Sequence, residues 1–118
     1  MSGAISWNLR LELKAGKADD FRTLVQEQLE STASEPGTVL YECFINDAGT
    51  EAQMYERYAD SAAALAHLAT FYERFMERMM QCADPVGFDV YGDPDQAVKD
   101  ALSPANPRYF QTLGGVAH

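Results

Sequence analysis

Residues 55–68 read YERYADSAAALAHL. A strand carrying Tyr55 and Tyr58 gives way at Asp60 or Ser61, either of which can cap a helix, to alanines of high helix propensity. Leu65, Leu68, Phe71, Tyr72, Phe75, Met76 and Met79 continue one apolar side, so a single long helix is expected as far as Asp84 and Pro85. His67 stands apart in this stretch. At about 100° per residue it falls about 100° from a stripe centred near Leu68, Phe75 and Met79, on the Phe71 side, which places it at the edge of the stripe.

Upstream, residues 4–14 alternate strictly, with Ile5, Trp7, Leu9, Leu11 and Leu13 on one face and Ser6, Asn8, Arg10, Glu12 and Lys14 on the other, as a strand with one apolar face does. Ala15 and Gly16 break it. Phe21, Leu24, Val25 and Leu29 then recur at helical spacing to about Ser34, with Asp19 and Asp20 near the positive end of the helix dipole. Glu35, Pro36 and Gly37 form a turn before TVLYECFIN, a second strand rich in β-branched and aromatic residues. Residues 47–50 close a hairpin into the third strand, AQMYERYA. Beyond the second helix, VGFDVYG reads as a fourth strand and DPDQAVKDALS as a short third helix.

The order strand, helix, strand, strand, helix, strand is that of an α+β ferredoxin-like βαββαβ domain, with two helices on one face of a four-stranded antiparallel sheet. The 118 residues, 47% of them apolar, suit one domain, with a core at about 4–92 and a C-terminal extension at about 93–118. The formal charge of −9 and the lack of any Lys or Arg cluster argue against nucleic acid and membrane surfaces as partners. MSGAISW lacks the pattern of a secretory leader and no stretch nears the ~20 apolar residues of a membrane span, so a cytoplasmic protein is expected. Cys43 and Cys82 have no second Cys or His at metal-ligand spacing and read as packed thiols.

The sheet's second face would gather Leu40, Glu42, Phe44, Tyr55, Arg57, Asp89 and Tyr91 beside Asn8, Arg10 and Glu12. An aromatic, charge-bearing patch of this kind marks an interface, and two copies packed sheet to sheet would bury it. The tail NPRYFQTLGGVAH has aromatics to bury but no periodicity, and Tyr109, Phe110 and Leu113 are expected to dock on the partner.

LKAGKADDF at 13–21, EPGTVLYE at 35–42 and YERYADSAAALAHL at 55–68 together resemble the antibiotic biosynthesis monooxygenase superfamily of dimeric α/β-barrel proteins, which includes quinol monooxygenases. The resemblance spans nearly the whole chain. It implies a homodimer and a ligand cavity between sheet and helices, with Tyr58 pointing into it from the end of strand three. Members of this superfamily oxidise quinols or polyketide phenols, degrade haem, isomerise small phosphorylated sugars, or have no known activity. The haem-degrading branch needs a tryptophan where Tyr58 stands and a histidine near Glu77, so haem degradation is disfavoured.

No glycine-rich phosphate loop, dinucleotide fingerprint, nucleophile elbow or zinc spacing occurs, and neither cofactor nor metal is expected. Oxygenation without a cofactor needs an electron-rich phenol or quinol which, once deprotonated, passes an electron to dioxygen itself. The protein then supplies a base, a dry aromatic slot and a donor for the developing anion. His67, whose side-chain type titrates near neutrality, is the candidate base, with Tyr58 as its catalytic companion and Tyr58 or Glu56 as the next group to take the proton. Trp7 or Tyr58 would orient the ring, and Leu9, Met54, Phe71 and Phe75 would exclude water. Against this stands a histidine that merely bonds a backbone carbonyl or faces solvent. At a partly wet boundary its replacement should cost less than about 1 kcal/mol. The expected function is a cofactor-independent monooxygenase of a small aromatic or quinol; the alternative is a non-catalytic small-molecule binding protein, or an isomerase, of the same fold.

Overall fold

The structure, a computed structural model, describes residues 3–118; Met1 and Ser2, the start of the leader reading, lie outside it. Its elements are β1 (Ile5–Leu13), α1 (Ala18–Thr32), β2 (Thr38–Ile45), β3 (Glu51–Tyr58), α2 (Ser61–Arg74), α3 (Met76–Cys82), β4 (Ala83–Tyr91), α4 (Gln96–Leu102), a 3₁₀ turn (Ser103–Ala105) and β5 (Arg108–Phe110). The fold is α+β and ferredoxin-like. The sheet runs β2-β3-β1-β4-β5, antiparallel except for the parallel β4–β5 pair.

The expected four-stranded sheet is therefore extended by a fifth strand. Residues 108–110 pair with Asp89, Val90 and Tyr91, and the Arg108 guanidinium grips the Asp89 carboxylate at 2.7 and 3.1 Å. Phe110 rests 6.0 Å from the Tyr91 ring and Tyr109 lies under the Lys99 ammonium, both on their own chain, while Leu113 is fully exposed. The three-residue segment was too short to show a period-two pattern, and backbone pairing to an open sheet edge needs none.

The single long helix is two. Phe75, at φ −125° and ψ −24°, leaves the helical region and divides α2 from α3, although its N–H still reaches the Phe71 carbonyl at 2.9 Å. Asp84 and Pro85 do not end a helix; they already lie in β4. Arg10 pairs with Gly87 and Leu11 with Pro85, so Val86 is the extra residue of a bulge, where a proline without an N–H is tolerated. Asp60 caps α2 as expected, its carboxylate accepting from the Ala63 N–H at 2.8 Å.

The alternation in β1 and β3 builds the inner face. Ile5 is opposite Tyr58, Trp7 opposite Glu56, and Leu9 opposite Met54. Two separate cores form on it. One gathers Leu11, Phe21, Leu24, Met54, Phe75 and Met79; the other gathers Ile5, Trp7, Tyr58, Leu68, Phe88, Val90 and Leu102. Leu9 is only partly buried and packs against both, so it marks where close packing lapses between them. Among the described residues no helix is long and apolar enough to cross a membrane.

Candidate functional site

A cavity of about 170 Å³ occupies that lapse. Trp7, Leu9, Met54 and Glu56 form its floor on the sheet, His67, Leu68, Phe71 and Tyr72 its α2 wall, and Met76, Met79 and Met80 its α3 wall; Tyr41, Pro85, Phe88, Leu102, Pro104 and Ala105 complete it. An apolar cavity of about 150 Å³ accepts a benzene ring, so the space suits one substituted aromatic ring. Tyr72 lines it as well. Its hydroxyl donates to the Ala101 carbonyl at 2.6 Å and ties the end of α4, next to the lining residues Leu102, Pro104 and Ala105, to α2.

Most of the lining is apolar, and within it His67 and Glu56 lie 3.4 Å apart. His67 is buried rather than at a wet boundary, at 6% exposure, because β2 and the turn before it cover the helix edge that a helical wheel leaves open. Its Nδ1 lies 2.9 Å from Oε1 of Glu35, and its Nε2 lies 3.4 Å from Oε1 of Glu56. The imidazole is held between the rings of Tyr58 and Tyr41, at centroid distances of 5.2 and 5.4 Å. The Tyr41 hydroxyl donates to Oε1 of the buried Gln28 at 3.1 Å.

Glu56 is buried on the sheet with donors on its oxygens: the Tyr58 hydroxyl at 2.5 Å and the Trp7 indole N–H. Burial pushes its carboxyl above the ordinary value of 4.5, while His67, Tyr58 and Trp7 pull it the other way and the Glu35 charge adds to the rise. Burial first, and the Glu56 charge second, also raise the Tyr41 and Tyr58 phenols far above their usual range. Both therefore remain donors and cannot serve as bases at neutral pH. The Cys43 thiol, pushed up to about 11 by burial and by Glu56, stays protonated as well.

Of the residues singled out in the sequence, Trp7, Leu9, Met54, Glu56, His67 and Phe71 come together around the cavity, whereas Tyr58 and Phe75 stand outside its lining. Tyr58 is fully buried and touches the cavity through lining residues, its hydroxyl on the Glu56 carboxylate and its ring against Trp7 and His67. Phe75, at the break between α2 and α3, belongs to the other core, with the Arg74 guanidinium 4.9 Å over its ring. Glu35 and Tyr41 were not singled out. Glu35 reads in the sequence as part of a turn, and Tyr41 lies between Leu40 and Glu42, the residues of that strand assigned to the sheet's second face. Among the described residues no group of three or more His, Cys, Asp or Glu is placed to hold a metal ion.

Residues 5–77 match the family described as antibiotic biosynthesis monooxygenase. The chain belongs to that family. The match covers the elements that carry Trp7, Glu35, Glu56 and His67, and ends before β4, α4 and β5. No curated protein matches the sequence. Among solved structures, this monooxygenase-family chain resembles MupZ from Pseudomonas fluorescens at 23% identity, with 100% of this chain and 91% of that one covered and a TM-score of 0.87. It also resembles Rv0793 from Mycobacterium tuberculosis (21% identity, 80% and 98% covered, TM-score 0.68). A third is SnoaB, a cofactor-independent oxygenase from Streptomyces nogalater (12% identity, 80% and 97% covered, TM-score 0.67). At these identities the likeness is one of fold. The MupZ alignment includes the C-terminal extension that the family match leaves out.

Proposed function

We propose that the chain is a cofactor-independent monooxygenase of a single-ring quinol or phenol, with His67 as the base and Glu56 as its buried charge partner. The observation that carries this reading is the imidazole–carboxylate pair in the lining of an apolar cavity sized for one ring. Family membership and the resemblance to SnoaB support it.

The chemistry balances without an external reductant. His67 takes a hydroxyl proton and the quinolate gives one electron to dioxygen. The resulting superoxide couples to a ring carbon of the semiquinone. The peroxide anion formed there takes the proton back from the His67 imidazolium, and the resulting hydroperoxide loses the ring hydrogen as a proton and its outer oxygen as hydroxide, which leave together as water. One oxygen atom remains as a new carbonyl and the other departs in that water, so the base is regenerated. Trp7, Leu9, Met54 and Phe71 hold the ring and keep out water that would screen the anion.

Oxygen uptake with a panel of substituted hydroquinones and monocyclic phenols tests this reading. Stoichiometric uptake with release of an oxygenated product is expected. Because the imidazole lies between two carboxylates, proton transfer without dioxygen is also open to this site: turnover without uptake would make the chain an isomerase, and binding without turnover a binding protein.

We further propose a homodimer through the outer sheet face, where Phe44 is 55% exposed on the same face as Tyr55 and Arg57. Phe44→Glu should weaken dimerisation at least about 30-fold, the scale of a buried aromatic anchor, and change monomer stability by less than about 0.5 kcal/mol, as at other exposed positions. Light scattering at micromolar concentration checks it. A monomeric unaltered chain would remove the proposal.

A further inference from the structure

Glu35 belongs to the turn between α1 and β2, and its position is set by backbone packing. The turn is closed by the Glu35 N–H on the Thr32 carbonyl at 2.9 Å and by the Thr38 N–H on the Glu35 carbonyl at 3.3 Å. Gly37 lies so close to α2 that an added Cβ would come within 2.4 Å of the Ala63 methyl. Its carbonyl accepts the Ala59 N–H at 2.9 Å. The turn is thereby pinned against the first turn of α2, one helical turn before His67, and the Glu35 carboxylate falls beside the imidazole.

Its oxygen Oε1 also accepts the Thr38 hydroxyl at 2.8 Å. An ionised carboxylate only accepts hydrogen bonds, so the imidazole nitrogen 2.9 Å away must be the donor. In neutral His67 that leaves Nε2, on the cavity side and 3.4 Å from Oε1 of Glu56, as the nitrogen without a proton. Glu35 also faces the other way. It lines a solvent-open cleft of about 290 Å³ with Thr32, Thr38 and Tyr41, and its side chain is 20% exposed where those of His67 and Glu56 are 7% and 6%.

We propose that Glu35 is the positioning residue of the site: it fixes His67 in the tautomer protonated on Nδ1, so that Nε2 takes the substrate proton, and it forms the solvent end of a Glu56–His67–Glu35 chain. The role of Nε2 rests on His67 being the base; the tautomer does not. The imidazolium formed on proton uptake lies between two carboxylates, and Glu35 is the one of the pair that opens to water.

Nitrogen-15 NMR of the labelled histidine ring reads the tautomer directly in the unaltered protein. A neutral His67 protonated on Nδ1 is expected; protonation on Nε2 overturns the proposal. In Glu35→Gln the amide can present either an oxygen or an NH₂ to the ring, so a mixed tautomer is expected. With it should come a fall in kcat of roughly 10²-fold or more at little-changed KM, the pattern of a misoriented base, with partial recovery in Glu35→Asp. An unchanged tautomer together with an unchanged kcat in Glu35→Gln would overturn it too. His67→Gln separates the two readings. Full oxygen uptake by that variant would end the base assignment and the catalytic role of Nε2 while the tautomer stands; loss of uptake in His67→Gln with none in Glu35→Gln would end the positioning role alone.

Discussion

His67→Ala is expected to lower quinol-dependent oxygen uptake by roughly 10²- to 10⁴-fold, the range for removing a general base. It is also expected to destabilise the fold by about 2–3 kcal/mol, because the buried Glu56 loses a charge partner while keeping its desolvation cost. The stability effect departs from the boundary position that the helical wheel suggests, since the imidazole is 6% exposed and flanked by two carboxylates. Steady-state oxygen consumption and chemical denaturation measure the two effects separately. Unaltered uptake would move the proton-accepting role to Glu56, because burial and the Glu56 charge hold the tyrosine phenols too high to take it.

Glu56→Gln should reshape the dependence of stability on pH. Burial raises the Glu56 pKa above 4.5, so in the window above that value the native chain binds this proton more tightly than the unfolded chain. The stabilising contribution is thus fully present below 4.5 and is lost as pH rises through the raised pKa. Glutamine keeps an acceptor for Tyr58 and Trp7 and has no proton to lose. The stability of the variant relative to the unaltered chain should therefore be flat below about pH 4.5, climb above it and level off once pH has passed the raised pKa. Glu27 and Asp89, whose pKa values are lowered first of all by hydrogen bonds from Arg78 and Arg108, act in the opposite sense at lower pH and cancel in the difference. Denaturation midpoints from pH 4 to 8 give the result, and parallel curves would contradict it. Loss of the charge beside the imidazolium should also lower kcat about 10- to 10²-fold, the equivalent of about 1.5–3 kcal/mol for a hydrogen bond to a charged group.

The strict alternation of residues 4–14 revealed which side chains of β1 would face the helices, and the change of period at Asp60 revealed where α2 begins. Those two patterns suffice to bring Trp7, Leu9, Met54 and Glu56 onto one face with His67 above them. Periodicity could not reveal the break at Phe75, because apolar residues continue at helical spacing through Met76 and Met79 and no Pro or Gly marks the site. Nor could it reveal β5, whose three residues gain their order from hydrogen bonds to an existing edge. The burial of His67 was hidden for another reason. A helix reports its own face, and here the cover comes from the turn at Glu35 and from Tyr41, more than twenty residues earlier in the chain. That long-range closure is also what turns a boundary histidine into part of a carboxylate–imidazole–carboxylate chain.

The claim that this site removes a proton from a bound phenol can be tested apart from any oxygen chemistry. Anaerobic stopped-flow absorbance of a substituted hydroquinone mixed with the protein at neutral pH should show a quinolate band approaching one per chain, and His67→Gln should bind the same quinol without that band. A quinol that occupies the cavity un-ionised in the unaltered protein, or a quinolate band that persists in His67→Gln, would contradict the account.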